Sequence, residues 1–422
     1  MSTRGPRIPT WVVLSVVVTL FAGACASREV RAARSGDIEA LETFLADGGN
    51  VDERGRRDQT LLMAALGNRR RAAAAFLLEA RASVTATDSD GRTPLMYAAR
   101  SDLPGLAQRM IRAGARVDAR DHNGDTALHA AAGSGATDLA EHLLDHGASA
   151  KTRNNEGRTA LHRAASEAGS AGMVRLLLEE GSDLLQEDDD GWTALAFALA
   201  RSAADRSGLQ RSVTLLREAG GEIPRDERIA GEIAFLAARS GNTDVVSLLL
   251  DAGLNPEVRN SRGDTLLTAS VANESIVRQL LSADADPNRP NRSGDRPLML
   301  AVEENHEPTV RRLLSAGANP DISDFDGRTP LMKAVAADQL EITRRLLLAG
   351  ARANDRDRRG NTALHIGAGN ASERVIRLLL TAGGEATLKN DDGEEPIDIA
   401  VEEGRSDSVI ELLVSAGGTP RS

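Results

Sequence analysis

The chain has 422 residues, 41% of them apolar, 27% charged and only 2% aromatic, so its core must be built from Leu, Ala and Val rather than from rings. Acids outnumber bases 62 to 51, a formal charge of −11, which argues against a nucleic-acid partner, because that role needs a basic surface to displace counterions. One cysteine in the whole length excludes an intrachain disulfide and any cysteine-based metal site.

The first element in chain order reads as an address rather than a fold. Arg4 and Arg7 precede an apolar run from Trp11 to Phe21, too short for a comfortable membrane span but suited to the h-region of a signal peptide. Ala22-Gly23-Ala24-Cys25 follows. The segment resembles a bacterial lipoprotein signal. That resemblance implies cleavage before Cys25, lipidation of that residue, and a place in the bacterial cell envelope on the periplasmic or surface side, with the outer membrane favoured. Ordinary cleavage after Ala24 and an uncleaved anchor remain open as other readings. In all three the basic end stays inside and the rest crosses the membrane. Residues 1–24 are thus read as signal and 25–28 as anchor and short tether.

From Glu29 onward one pattern recurs. Gly91, Gly124 and Gly157 stand 33 residues apart, Gly191 follows after 34, and Gly294, Gly327, Gly360 and Gly393 are again spaced by 33. Three residues before each stands Asp or Asn, from Asp88 to Asn390, and Asn260 with Gly263 makes a ninth such unit. Asp or Asn closes an Asx-turn, and the glycine supplies the positive φ that turn needs. Next comes Thr followed by Pro, Ala or Leu, as in Thr93-Pro94-Leu95 and Thr126-Ala127-Leu128. Thr caps a helix, and Pro after it costs no hydrogen bond at the first helical position. Five residues beyond the Thr only small residues occur, among them Ala98, Ala131, Ala164, Ser270 and Gly367, which marks a close helix–helix approach. An apolar pair closes each unit, from Phe44-Leu45 to Leu412-Leu413, twelve in all. Ala-Gly or its equivalent stops the helix shortly after most of them. Each unit is therefore turn, short helix, tight connection, short helix. Such helices are marginal alone and persist by burying their Ala and Leu faces on neighbours.

This motif at period 33 resembles the ankyrin repeat over about residues 29–420, most closely at Asp121-His122-Asn123-Gly124-Asp125-Thr126-Ala127-Leu128-His129. The resemblance implies an all-α solenoid of about twelve units, an elongated curved array with hairpin tips and a concave helical face, working in protein–protein binding. Residues 29–221 and 222–422 are read as two runs of one continuous array, with a bend near 200–230. Between Gly191 and Gly263 two units occupy 72 residues, which predicts extra loop around Ser202–Gly208 and Gly220–Arg228. Residues 29–56 read as an N-terminal cap. In residues 57–87, Asp58 and Arg81 stand where sister units have glycine. The last unit reads as a closing cap, with polar Glu395, Glu402, Glu403 and Arg405 where a neighbour would otherwise pack.

Candidate chemistry is thin. His129, His162 and His365 occupy a slot that sister units fill with Met63, Met96, Met299 or Met332, so the slot is structural rather than catalytic. His142 and His146 lack a third ligand. Asp188-x-Asp190-Gly191 imitates a calcium loop, but Phe197 stands where the closing Glu belongs. No enzyme and no cofactor are expected. What remains is surface: the resemblance places partner contacts at tip residues, here Arg158, Asp189, Asp190, Trp192, Phe325, Arg328 and Arg358. Trp and Arg dominate interface energies, although either ring could instead fold back on its own hairpin. Seven acids without a base between Glu179 and Asp190 suit a protein partner with a basic surface. The expectation is a monomeric, lipid-anchored binding module, with an envelope spacer lacking a dedicated partner as the alternative.

Overall fold

The computed structural model describes residues 28–166, 171–204 and 210–420. The signal segment and Cys25 lie outside the described residues. These hold twenty-four α-helices, from Arg28–Ser35 to Asp407–Ser415, and no strand beyond three isolated bridges at Arg54–Thr60, Glu187–Thr193 and Arg259–Thr265. The helices fall into twelve pairs, as the repeated apolar doublets require. No helix among the described residues is long and apolar enough to cross a membrane.

The chain divides into two compact units, Met1–Glu222 and Ile223–Ser422. Within each, the first helix of a pair packs on the first helix of the next and the second on the second: Pro94–Ser101 lies against Ala127–Ser134, and Pro104–Arg112 against Thr137–Asp145. The slot of small residues sits between first helices. Ala98, Ala131, Ala164, Ala301 and Ala334 have no solvent exposure. At Gly367 an added Cβ would already lie 3.0 Å from Val335 Cγ1. Second helices are nine residues long in every pair and bury at least one Leu or Met, such as Leu77, Met110, Leu143, Leu249 and Leu379.

The expected caps form. The Thr60 and Thr329 hydroxyls accept from Met63 and Met332 N–H, both at 3.3 Å. Asp58, Arg81 and Asp284 replace glycine in the sequence yet adopt its left-handed backbone, with φ of 55°, 61° and 63°, because the stacking on either side fixes the turn.

Two expectations require correction. The extra length between Gly191 and Gly263 is not all loop. The Ala194–Ala204 helix has eleven residues and the Glu227–Ser240 helix fourteen, capped by Asp226, whose carboxylate accepts Arg228 N–H at 2.8 Å. With no turn-forming glycine between Gly221 and Asp226, the helix extends toward its N-terminus in place of a hairpin. In the last pair, Glu395 and Arg405 do not face outward. Glu395 is buried in the Thr position and its carboxylate accepts from Thr419 N–H at 2.9 Å. Arg405 reaches back to the carbonyls of Gly367, Ala368 and Ala371. Gln339, at the same place in an earlier pair, makes a similar reach, donating to the Val302 carbonyl at 2.9 Å. Glu402 and Glu403 are exposed.

Candidate functional site

Each tip that carries the Asp or Asn is organised by that one side chain. Asp188 Oδ1 accepts the N–H groups of Asp190 and Trp192 at 3.0 and 2.9 Å, while its own N–H donates to the Trp192 carbonyl at 2.9 Å. Gly191 closes the turn at φ 85°. Asp88 and Asn154 do the same in their turns. Successive tips are tied backbone to backbone: His122 N–H donates to the Asp90 carbonyl, Asn155 to Asn123, and Asp189 to Glu156, at 2.9, 2.9 and 3.0 Å. The tip row in the first unit is a preorganised backbone carrying free choice of side chain.

The histidine slot explains how tips attach to helices. His162 Nδ1 accepts the Thr159 N–H at 3.1 Å, which leaves Nε2 protonated to donate to the Trp192 carbonyl at 3.1 Å. His129 and His365 repeat this toward the Arg158 and Glu394 carbonyls, at 3.1 and 3.0 Å. Burial pushes all three imidazoles below their ordinary titration range, which keeps the neutral tautomer this geometry uses. In sister units the thioether takes the same place, Met96 Sδ accepting Thr93 N–H at 3.4 Å.

Four of the tip residues singled out in the sequence come together in the first unit. Trp192 is half-buried, tilted onto Phe197 with ring centroids 5.2 Å apart. Arg158 stacks its guanidinium 5.0 Å from the same ring and donates from Nε to Asp188 Oδ2 at 3.0 Å. His162 meets Phe197 edge-on at 5.9 Å. Asp189 is exposed and paired with Arg153 at 2.9 Å; Asp190 is exposed beside it. Phe197 and Arg153 were not foreseen as members. Their signal was available: Phe197 follows Thr193 by four residues, the position of Tyr97 in the Thr93 unit.

Phe325, Arg328 and Arg358 belong to the second unit. Phe325 is 71% exposed, its ring edge lying over Gly294 of the preceding tip. Arg328 and Arg358 are exposed on consecutive tips, joined by the bond from Arg358 N–H to the Asp326 carbonyl at 3.0 Å. Among the described residues no three His, Cys, Asp or Glu side chains group as a metal site would require, and His146 Nδ1 bonds the His142 carbonyl of its own helix at 2.7 Å.

Comparison with known proteins follows the same architecture. The family model described as ankyrin repeats (3 copies) matches overlapping stretches at 30–121, 101–188, 202–291, 234–324, 269–357, 298–390 and 331–420. A putative ankyrin repeat-containing protein of Treponema pallidum (strain Nichols) is similar at 32% identity over 121 residues, 28% of this chain. The match spans 39% of that relative.

Proposed function

The chain belongs to the ankyrin-repeat family, whose repeats support protein–protein interaction and which is typically a non-enzymatic scaffold, and from that premise we propose that it is an envelope-anchored module that binds a protein partner through its tips and first helices. The observation that carries the reading is the tip cluster of the first unit. Its backbone is locked to neighbouring tips, so side chains there meet a partner with little ordering cost. The Arg158–Phe197–Trp192 stack adds the residue types that anchor interfaces. Around it Glu179, Glu180, Asp183 and Glu187 are exposed, while Asp188 and Asp189 are already paired with Arg158 and Arg153. The exposed carboxylates of Glu179, Glu180, Asp183 and Glu187 favour a basic surface on the partner.

A photocrosslinker at Asp190, compared with one at Leu348, which is 77% exposed on a second helix, tests the binding reading. A discrete adduct from position 190 alone supports it, and equal capture from both positions, or none, refutes it. The anchor rests on the sequence of the signal segment. Metabolic labelling with a fatty-acid analogue is expected in the native chain and lost in Cys25→Ser; label retained in that variant refutes lipidation.

A further inference from the structure

Three successive first helices in the first unit differ at the positions four and seven residues after the Thr. They carry Ala64 and Gly67, then Tyr97 and Arg100, then Ala130 and Gly133. Large residues flanked by small ones raise a ridge with a cleft on each side. The cleft over Gly67 encloses about 420 Å³ and is lined by Gln59, Arg69, Arg92, Tyr97, Arg100 and Ser101; no acidic residue lines it.

Two of the three guanidinium charges there have no counterion among the described residues. Neither the Arg69 nor the Arg100 side chain makes an ion pair or hydrogen bond among the described residues, and both residues are exposed. Arg92 is paired with Asp90 at 3.1 Å. The nearest buried acid, Asp88, stands behind Tyr97, whose hydroxyl donates to it at 2.7 Å, and its other oxygen holds the turn N–H groups of Asp90 and Arg92. Two unpaired guanidinium groups beside one cleft in a chain of net −11 are a poor use of surface unless an anion visits them.

We propose that this cleft takes the carboxylate side chains of an acidic stretch in a protein partner. The inference rests on the binding reading above and names the chemistry of one contact. Planar guanidinium forks match carboxylates. The cleft on the far side of Arg100, about 430 Å³, is lined by Asp121 and Asp125 as well as by Arg92 and Arg163, so the positive surface ends after a side chain or two. That confinement suits a short acidic peptide and opposes a phosphodiester polymer, whose charge would run on over the aspartates.

The test is anisotropy of fluorescein-labelled hexaglutamate on the full chain, with Arg69→Gln, Arg100→Gln and the double variant. Each single change is expected to weaken binding on the order of fivefold and the double change more than tenfold. Gly67→Leu, which fills the cleft while leaving both charges, is expected to weaken it as much as the double variant. Circular dichroism of each variant verifies the helices, and the Gln variants decide the matter if Gly67→Leu fails to fold. Affinity unchanged in the double variant overturns the proposal. Stronger binding of an oligothymidylate of equal charge also overturns it, in favour of a phosphate ligand. An Asp190 adduct that persists in the double variant, with no hexaglutamate bound by the native chain, sinks this inference while leaving the binding reading intact.

Discussion

Replacing His162 separates the two tasks of the histidine slot. The residue is 2% exposed; one ring nitrogen accepts the Thr159 N–H and the other donates to the Trp192 carbonyl. His162→Ala removes both hydrogen bonds, each worth about 1 kcal/mol, and leaves a cavity besides, so its cost is about 3 kcal/mol. His162→Met keeps the volume and, as Met96 shows, keeps an acceptor for the cap. It loses only the tie to the tip, at about 1 kcal/mol. Urea unfolding followed by far-UV circular dichroism and by Trp192 emission measures both. A pH series adds a second reading. Burial depresses the folded-state pKa of His129, His162 and His365 below the ordinary 6.5, so below about 6.5 the unfolded chain binds protons that the folded chain resists. Stability is therefore full above that pH and falls as pH drops toward the folded-state values. His162→Met should show a smaller fall between pH 7.5 and 5.5 than the native chain. A Met variant as costly as the Ala variant, or the same pH dependence in Met and native proteins, would refute this role for His162.

Other changes probe other levels of the fold. Arg81→Gly and Asp284→Gly relieve side chains held at positive φ on exposed turns and should each raise stability by about 1 kcal/mol in urea titration. Ala131→Leu overfills the slot between first helices, where Ala131 has no exposure, and should cost about 2–3 kcal/mol with a lower thermal midpoint. Arg158→Ala strands the buried Asp188 carboxylate and frees one face of Phe197; it should cost about 2 kcal/mol and shift Trp192 emission, whereas unchanged emission would mean that the stack does not set the ring's environment.

The repeat, the helix pairs, the Thr caps and the small slot were legible in the sequence because each obeys a local rule repeated many times. A position that accepts Ala, Ser or Gly in every unit announces a close approach without any coordinates. The histidine slot was legible for the same reason, since Met63 and Met96 stand in it elsewhere. The candidate site was only half legible. Trp192 and Arg158 were visible as large residues on tips, but their meeting over Phe197 was not, because it joins the tip of one pair to the first helix of the next.

The sequence alone therefore determined the period, the element order and the family, since these follow from short-range turn, cap and packing rules. Only the tertiary structure decided that Trp192 is half-buried, that Glu395 and Arg405 close the last pair inward, and that Arg69 and Arg100 share one cleft without a counterion. Each of these depends on which side chains stacking brings together across about 33 residues, and every repeat varies at such positions.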